Sequence, residues 1–289
     1  MSFNAYLKRQ EQTFTSIASC ERTVNRFLEW SEKQSIKPEE VTYQDLLLYM
    51  KDCQTNGTTQ RTVQHYLNMI KHYYNYLVEQ GSVVTNPVDM IKVQGVKRKT
   101  LYSVFKPEQL HDIYNSFEVN SLTDKRDRVM LGLLVFQGLK TTELGNLIVD
   151  QVNLRDGVIN VPGGRKSNAR RLYFEPQQVM DMSEYVNNVR KVFVEQSDYF
   201  KPQLFIGSTG GDNVVNFTHY MLVKLGRHYP GIQNPKHIRA SVIVNWLRQY
   251  NLRKVQYMAG HRFISSTEAY QQNNMEGLTE EVNRFHPMG

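Results

Sequence analysis

An interruption near residue 90 constrains this chain more than any of its regular segments. Residues 85–100 read TNPVDMIKVQGVKRKT, and the apolar period that precedes them does not survive. Pro87 has no amide to donate, Gly95 resists a regular backbone, and Lys92, Lys97, Arg98 and Lys99 crowd like charges together. Such a stretch argues against one continuous core. The chain is therefore predicted to fold as two bodies, residues 1–92 and 104–289, joined by a basic linker over 93–103. With 289 residues, each body is large enough to bury a core of its own. The linker suits two roles, a solvated tether or a segment that tracks a phosphate backbone through Lys97, Arg98 and Lys99.

The first body reads as helix in every legible segment. Ile17, Cys20, Val24, Phe27 and Leu28 recur near the helical period and make one core-facing stripe. TYQDLLLYMKDC opens with Thr42 three residues before Asp45 and then supplies Leu46, Leu47 and Met50. Val63, Leu67, Ile70, Tyr74 and Leu77 repeat the stripe before Gly81, so a small helical bundle is expected. Tyrosines at 66, 73, 74 and 76 are candidates for stacking on bases, although aromatics at helical spacing more often pack a core.

Beyond residue 104 the grammar changes. KPEQLHDIYNSF and DRVMLGLLVFQG predict helices, the latter apolar enough to be buried, and TTELGNLIV and PQQVMDMSEYVNNVRKVFVEQ predict more. Between these, Val158, Ile159 and Val161, then a polar Gly/Ser/Asn stretch, then Leu172, Tyr173 and Phe174 spell a β-hairpin. Arg165, Lys166, Arg170 and Arg171 stand near its turn. The fold class is thus mainly α with a small β-sheet.

Composition narrows the function classes. No apolar run approaches the ~20 residues of a bilayer span, and the start MSFNAYLKRQEQ has no signal-peptide core, so a cytoplasmic protein away from membranes is expected. Cys20 and Cys53 have no partners at metal-ligand spacing, and neither a disulfide framework nor a metal site is expected. A formal net charge of +7, shared by both bodies, makes a polyanion the first partner to consider.

Two local patterns suggest where chemistry resides. After Leu252, Val255 and Met258 at helical spacing, Gly260 falls where a left-handed cap is wanted. Ser265 then precedes Glu268 at capping-box spacing, which places Tyr270 in the first turns of a new helix. His261 and Tyr270 flank this tight corner and can face one pocket, though both are also ordinary structural residues in such places. In NPKHIRASVIVNWLRQY, Asn234 reads as an N-cap and Pro235 as the first helical position. Lys236 and Arg239 are predicted to share one face, with Ile238, Val242, Trp246 and Tyr250 on the buried one. Two cations near the positive end of a helix dipole oppose local electrostatics. Either an anion such as phosphate lies between them, or they are two solvated surface charges.

In chain order, GLKTTEL (138–144), GRKSNARRL (164–172), KHIR (236–239), GH (260–261) and Tyr270 resemble the boxes of the tyrosine recombinases of the integrase and Xer type. That family carries an Arg in GLRxxEL, a hairpin Lys, HxxR, GH, and a nucleophilic Tyr nine residues after that His. Each box is weak alone; together, in order and at the family's final interval, they form a strong joint signal. The resemblance covers nearly the whole chain. It implies a core-binding, SAM-like domain ahead of a mixed α/β catalytic domain.

The resemblance also implies roles. Tyr270 would attack a DNA phosphate to give a 3′-phosphotyrosyl link, with Lys140, Lys236, Arg239 and His261 around the phosphate and Lys166 as general acid. Glu143 would orient this cluster or else lie on a helix surface. Arg165, Arg170 and Arg171 are expected to touch DNA, as are Lys97, Arg98 and Lys99. The implied partners are double-stranded DNA with inverted-repeat core sites and further copies of the chain in a tetrameric synapse, with no cofactor, ATP or metal. The stripe Leu278, Val282 and Phe285 suits a C-terminal exchange helix that docks on a neighbour or folds back on its own core. Two positions depart from the pattern: Lys140 replaces an Arg, and Lys236 replaces a His, with His237 one position along. The second exchange is an accepted variant; the first substitutes a point charge for a planar fork. A type IB topoisomerase-like nicking-closing enzyme and a DNA-binding relative with reduced catalysis remain open readings.

Overall fold

The computed structural model describes residues 2–10, 14–94, 103–197, 202–232 and 234–271. The chain divides into two compact units, Met1–Lys99 and Thr100–Gly289. Lys97, Arg98 and Lys99 and the stripe of Leu278, Val282 and Phe285 lie outside the described residues.

The first unit holds α1 (Phe3–Arg9), α2 (Phe14–Lys33), α3 (Tyr43–Thr55) and α4 (Gln60–Glu79). Helix starts are set locally: the side chains of Ser2, Thr42 and Thr59 each accept an amide from the first turn. Asp45 accepts the Thr42 amide at 2.8 Å, which completes a capping box. The Thr42 hydroxyl, which donates to the same carboxylate oxygen at 2.6 Å, and then the amide hold the Asp45 carboxyl below its ordinary range. The apolar stripes meet in a core that includes Phe27, Leu46, Tyr49, Leu67, Ile70 and Tyr74, with the Phe27 and Tyr49 rings edge-on at 5.1 Å. Most of the tyrosine run is packing: Tyr74 is buried and donates to the Pro38 carbonyl at 2.9 Å, while Tyr73 and Tyr76 lie on Phe3. Tyr66 instead accepts Arg26 at 2.8 Å. Cys20 and Cys53 are buried free thiols, and burial pushes Cys20 up to about 11.

The second unit comprises α5 (Pro107–Asn115), α6 (Leu122–Val135), α7 (Thr141–Asn146), β1 (Val152–Asn153), β2 (Val158–Val161) and β3 (Arg170–Tyr173), then α8 (Pro176–Glu184), α9 (Arg190–Glu195), α10 (Val214–Gly226), α11 (Pro235–Gln249) and α12 (Leu252–Ala259). A last helix, α13, is described over 265–271. The strands form one antiparallel sheet in the order β1-β2-β3, with Ile159 opposite Leu172 and Val161 opposite Arg170. Helix α6 is buried along most of its length and packs against α5, α8, α10 and α11, as the apolar run over residues 129–135 requires, with Arg126 and Asp127 buried as an ion pair ahead of it. The fold is mainly helical with a small three-stranded sheet, the class expected from sequence.

Three local expectations are corrected. Helix α11 has no clean polar face: His237 through Asn245 are all buried, so Arg239 lies inside while Lys236 is exposed. Tyr250 ends that helix in solvent, with the Lys254 ammonium 3.7 Å from its ring centre. Helix α13 already includes Ser265, and the Ile264 carbonyl sets its start by accepting the Thr267 and Glu268 amides at 2.8 and 3.0 Å.

Gly260 adopts the left-handed backbone anticipated for it, with φ of 65°. A methyl group there would run into the Arg170 guanidinium. Gly260→Ala should therefore lose more stability than the roughly 1–2 kcal/mol of a left-handed non-glycine residue. Gly157→Ala is the control, because Gly157 shares the positive φ of 63° but its added methyl meets only Val179 at an ordinary 3.7 Å. Equal losses in denaturant titrations of the two variants would show the Arg170 contact to be immaterial.

Candidate active site

Residues from four helices and a strand meet in one buried cluster. Gly138 turns the chain from α6 into α7 with φ of 57°, and its carbonyl accepts Nη1 of Arg239. Nη2 of Arg239 donates to the Ala259 carbonyl at 2.7 Å and contacts Nε2 of His261 at 3.2 Å. The guanidinium thus clasps the ends of two other helices.

Glu143 lies beside it in the first turn of α7. Its two oxygens accept Nη1 and Nη2 of Arg170 at 2.9 and 3.0 Å, and Oε2 also accepts the Lys140 amide at 2.9 Å. The same oxygen stands 3.9 Å from Nη1 of Arg239. Lys140, at the N-cap of α7, is half-buried.

His261 follows the Gly260 cap. Its Nδ1 is 2.9 Å from Oγ1 of Thr267, and its ring stacks on Tyr270 with centroids 5.7 Å apart and planes 12° from parallel. The β2–β3 hairpin turn docks on this corner. The Asn168 amide donates to the Gly260 carbonyl at 3.1 Å, and Arg262 donates to the Arg165 carbonyl at 3.0 Å. Lys166, in that turn, is exposed on the rim.

Lys140, Glu143, Arg239, His261 and Tyr270 therefore come together, with Lys166 at the edge and Lys236 exposed in the first turn of α11. His237 points elsewhere: Nε2 reaches the Ser103 carbonyl at 2.5 Å and the ring stacks on Phe105 at 4.4 Å, so it anchors the start of the unit. Arg165 and Arg171 are exposed, the latter pairing with Asp156 at 3.1 Å. Arg170 corrects its expected DNA contact. It is buried on Glu143, and its Nε donates to the Met258 carbonyl at 2.8 Å. Alternation in β3 carried the signal, since inward Leu172 implies inward Arg170. Thr267 was missed as well; it precedes Tyr270 by three positions and so shares its helix face.

Lys140, Arg170 and Arg239 face one carboxylate, so the cluster carries excess positive charge away from water. Burial, then the charge of Arg239, pushes the Lys140 ammonium below its ordinary value. Burial also lowers Arg239, opposed by Glu143 and by Tyr270, which hydrogen bonds to it. For Glu143 burial acts upward, yet the Arg170 bonds prevail and hold the carboxyl below its usual range. Burial, followed by Arg239, Lys140 and Arg170, depresses His261 to about 4, so its imidazole is neutral at pH 7. Fixed donors and excess positive charge are suited to an anion that gains charge during reaction. Among the described residues no group of three or more His, Cys, Asp or Glu could hold a metal ion, and no helix is long and apolar enough to cross a membrane.

Residues 103–277 match the Phage integrase family, and residues 1–81 match the Phage integrase N-terminal SAM-like domain. Tyrosine recombinase XerC of Bacillus licheniformis is 23% identical over 270 residues, covering 92% of this chain and 88% of its own. XerD of Staphylococcus haemolyticus is 26% identical over 239 residues, covering 80% and 78%. Among solved structures, XerH recombinase bound to palindromic difH substrate is similar with a TM-score of 0.73 at 17% identity, covering 96% of this chain and 82% of that one. A lambda integrase dimer on a COC′ core site reaches 0.69 at 11% identity, covering 94% and 75%. At those identities the structures speak for the fold, whereas the family match spans more than half of the chain. The chain belongs to the phage integrase family of tyrosine site-specific recombinases, which act on DNA.

Proposed function

We propose that this chain is a cytoplasmic recombinase that cleaves and rejoins double-stranded DNA at inverted-repeat core sites, assembled as a tetramer, with Tyr270 as nucleophile. One connected set of contacts carries the reading: Tyr270 stacks on His261, His261 meets Arg239, and Arg239 lies beside the buried carboxylate that also holds Lys140. The Tyr270 oxygen attacks phosphorus as the bond from phosphorus to the 5′-oxygen breaks. Lys166 protonates the departing oxygen, and the phenol proton passes to water or a neighbouring base. The products are a 3′-phosphotyrosyl strand and a free 5′-hydroxyl. Attack by a partner strand's 5′-hydroxyl reverses the step, and because one phosphoester bond replaces another, neither ATP nor a metal is required. Arg239, His261, Lys140 and Lys236 would surround the nonbridging oxygens. The positive field of the cluster would stabilise the charge that gathers on the phosphoryl oxygens during the attack.

The partner reading draws on the relatives, since XerH was solved on palindromic DNA and lambda integrase as a dimer on a core site. In the first unit a groove of about 760 Å³ beside α2 and α4 is lined by Arg22, Asn25, Arg26, His65 and Tyr66, which can contact phosphates and base edges, and also by the carboxylates Glu21 and Glu29, which oppose a phosphate. Arg165 and Arg171, with Lys97, Arg98 and Lys99, would add phosphate contacts. Lys140 favours one second reading, a DNA-binding relative whose catalysis is slowed.

A cognate site, sought as inverted repeats around a short spacer in the DNA flanking the gene, would supply the substrate for three tests. Tyr270→Phe should abolish a covalent adduct at the DNA 3′ end while binding persists; an adduct formed by this variant excludes Tyr270 as the nucleophile. On a nicked suicide substrate, Lys140→Ala should slow single-turnover cleavage on the order of 10²-fold, the usual loss for one transition-state donor. Lys140→Arg should match or exceed the parent, and a silent Lys140→Ala would mean that another cation holds the phosphate. Removing residues 276–289 should reduce higher-order complexes in native gels while single-site binding survives. Unchanged synapsis would favour the nicking-closing reading.

A further inference from the structure

We propose that Arg262 is a positioning residue for Lys166: its guanidinium holds the tip of the β2–β3 hairpin against the His261 corner and so fixes the point from which the lysine reaches. The tip is short. The Gly164 amide donates to the Ser167 carbonyl at 2.8 Å and the Ser167 amide to the Gly164 carbonyl at 3.2 Å, which leaves Arg165 and Lys166 as the two central residues of the turn. Both are exposed, so burial in a core does not place them. Nη1 of Arg262 donates to the Arg165 carbonyl at 3.0 Å. That oxygen belongs to the peptide plane that ends at the Lys166 nitrogen, and a planar peptide moves as one unit. Fixing its oxygen therefore restricts the rotation that would swing the Lys166 side chain about the tip.

The contact ties the lysine to the frame that carries the rest of the site. Arg262 follows His261 directly, and Nε2 of Gln256 on α12 donates to the His261 carbonyl at 3.2 Å, which holds the backbone from which Arg262 reaches. At the foot of the turn, Ser167 pairs with His261 in an antiparallel bridge. Asn168 adds its backbone amide to the Gly260 carbonyl at 3.1 Å and its side-chain amide to the His261 carbonyl at 3.4 Å. These bonds fix the base of the turn, and Arg262 reaches the tip. Its bond is exposed to water, so it contributes orientation more than stability. The ordinary alternative for an exposed arginine here is a phosphate contact. That role would act on DNA binding, whereas the clamp acts on the proton that Lys166 delivers. The consequence for cleavage rests on the general-acid role proposed for Lys166 above; the clamp itself does not.

The test compares leaving groups, using the full chain. A suicide substrate with sulfur in place of the bridging 5′-oxygen releases a thiolate, which takes the electron pair of the phosphorus–sulfur bond and needs no proton, since thiols ionise near ~8.5. Arg262→Met keeps an unbranched stem and removes the donors. It should cleave the oxygen substrate about tenfold more slowly than the parent, and the sulfur substrate within about twofold of it, because only the first needs the general acid. Equal slowing on both substrates, or no slowing on either, overturns the proposal. So does a salt slope of binding reduced by roughly 0.9, the mark of one lost phosphate contact. Lys166→Ala is the control: a loss that sulfur does not repair refutes the general-acid role itself, and the clamp is then decided in the DNA-free protein. There, amide hydrogen exchange at Ser167 and Asn168 should be about fivefold faster in Arg262→Met than in the parent. Unchanged exchange overturns the clamp whether or not the parent cleaves DNA.

Discussion

The carboxylate of Glu143 is buried, and a buried charge persists only where partners replace the water it has lost. Here the replacement is structural. Arg170 brings β3 through two parallel bonds, the Lys140 amide brings the start of α7, and Arg239 brings α11 to within 3.9 Å. Arg170 extends the set to α12 through the Met258 carbonyl. One anion thereby ties a strand and three helices, and removing one partner of such a pair typically costs ~3–5 kcal/mol because the other charge is left stranded. The His261 corner depends on the same network, since Gly260 leaves the space that Arg170 fills.

The network also settles an apparent conflict in α11. Two cations near the positive end of a helix dipole would repel both it and each other if they shared one solvated face. Instead Lys236 stays exposed, while Arg239 turns inward onto the Gly138 and Ala259 carbonyls and toward Glu143. Carbonyl dipoles at the ends of α6 and α12 compensate the charge that α11 cannot. Buried contacts within the fold hold these donors and charges in one arrangement, the kind of preorganisation on which electrostatic stabilisation away from bulk water depends.

The helical frame was largely legible from sequence because its signals are local. Amphipathic stripes and the Gly260 cap each act within a few residues, as did the hairpin pattern at Val158–Val161 and Arg170–Tyr173. The strand β1, two residues long, has no period to detect. The π-turn at Tyr185–Val189 hides inside an uninterrupted helical pattern. Within the site, the residues with a fixed interval stood out, whereas the contacts of Arg170 and Thr267 depend on buried partners that only the fold brings to them. An arginine beside a hairpin turn reads as a surface charge until its carboxylate, 27 positions away, is seen to face it. Tyr250 failed for the converse reason: it continues an apolar stripe past the point where α11 ends, so the period outlasted the helix.

Lys140 can be weighed against the donors already engaged around it. Nη2 of Arg239 directs its two hydrogens at the Ala259 carbonyl and at His261, and Nη1 directs one at the Gly138 carbonyl. A phosphate meeting this arrangement does not find a terminal arginine fork open to it, unless the His261 contact is exchanged for a phosphate oxygen. Recognition of a phosphate here would therefore rely on summed positive charge and separately placed donors more than on a planar bidentate match. An ammonium can supply that kind of interaction, and Lys140 would do so from an N-cap whose amide is anchored to Glu143, so its Cα cannot drift from the cluster. The same anchoring sets the limit: the four-carbon side chain must reach the phosphate from a fixed origin, and its charge is held close to Arg239, which burial and repulsion both penalise. A phosphate bound as proposed would relieve that repulsion, a gain that sets itself against the loss of the fork.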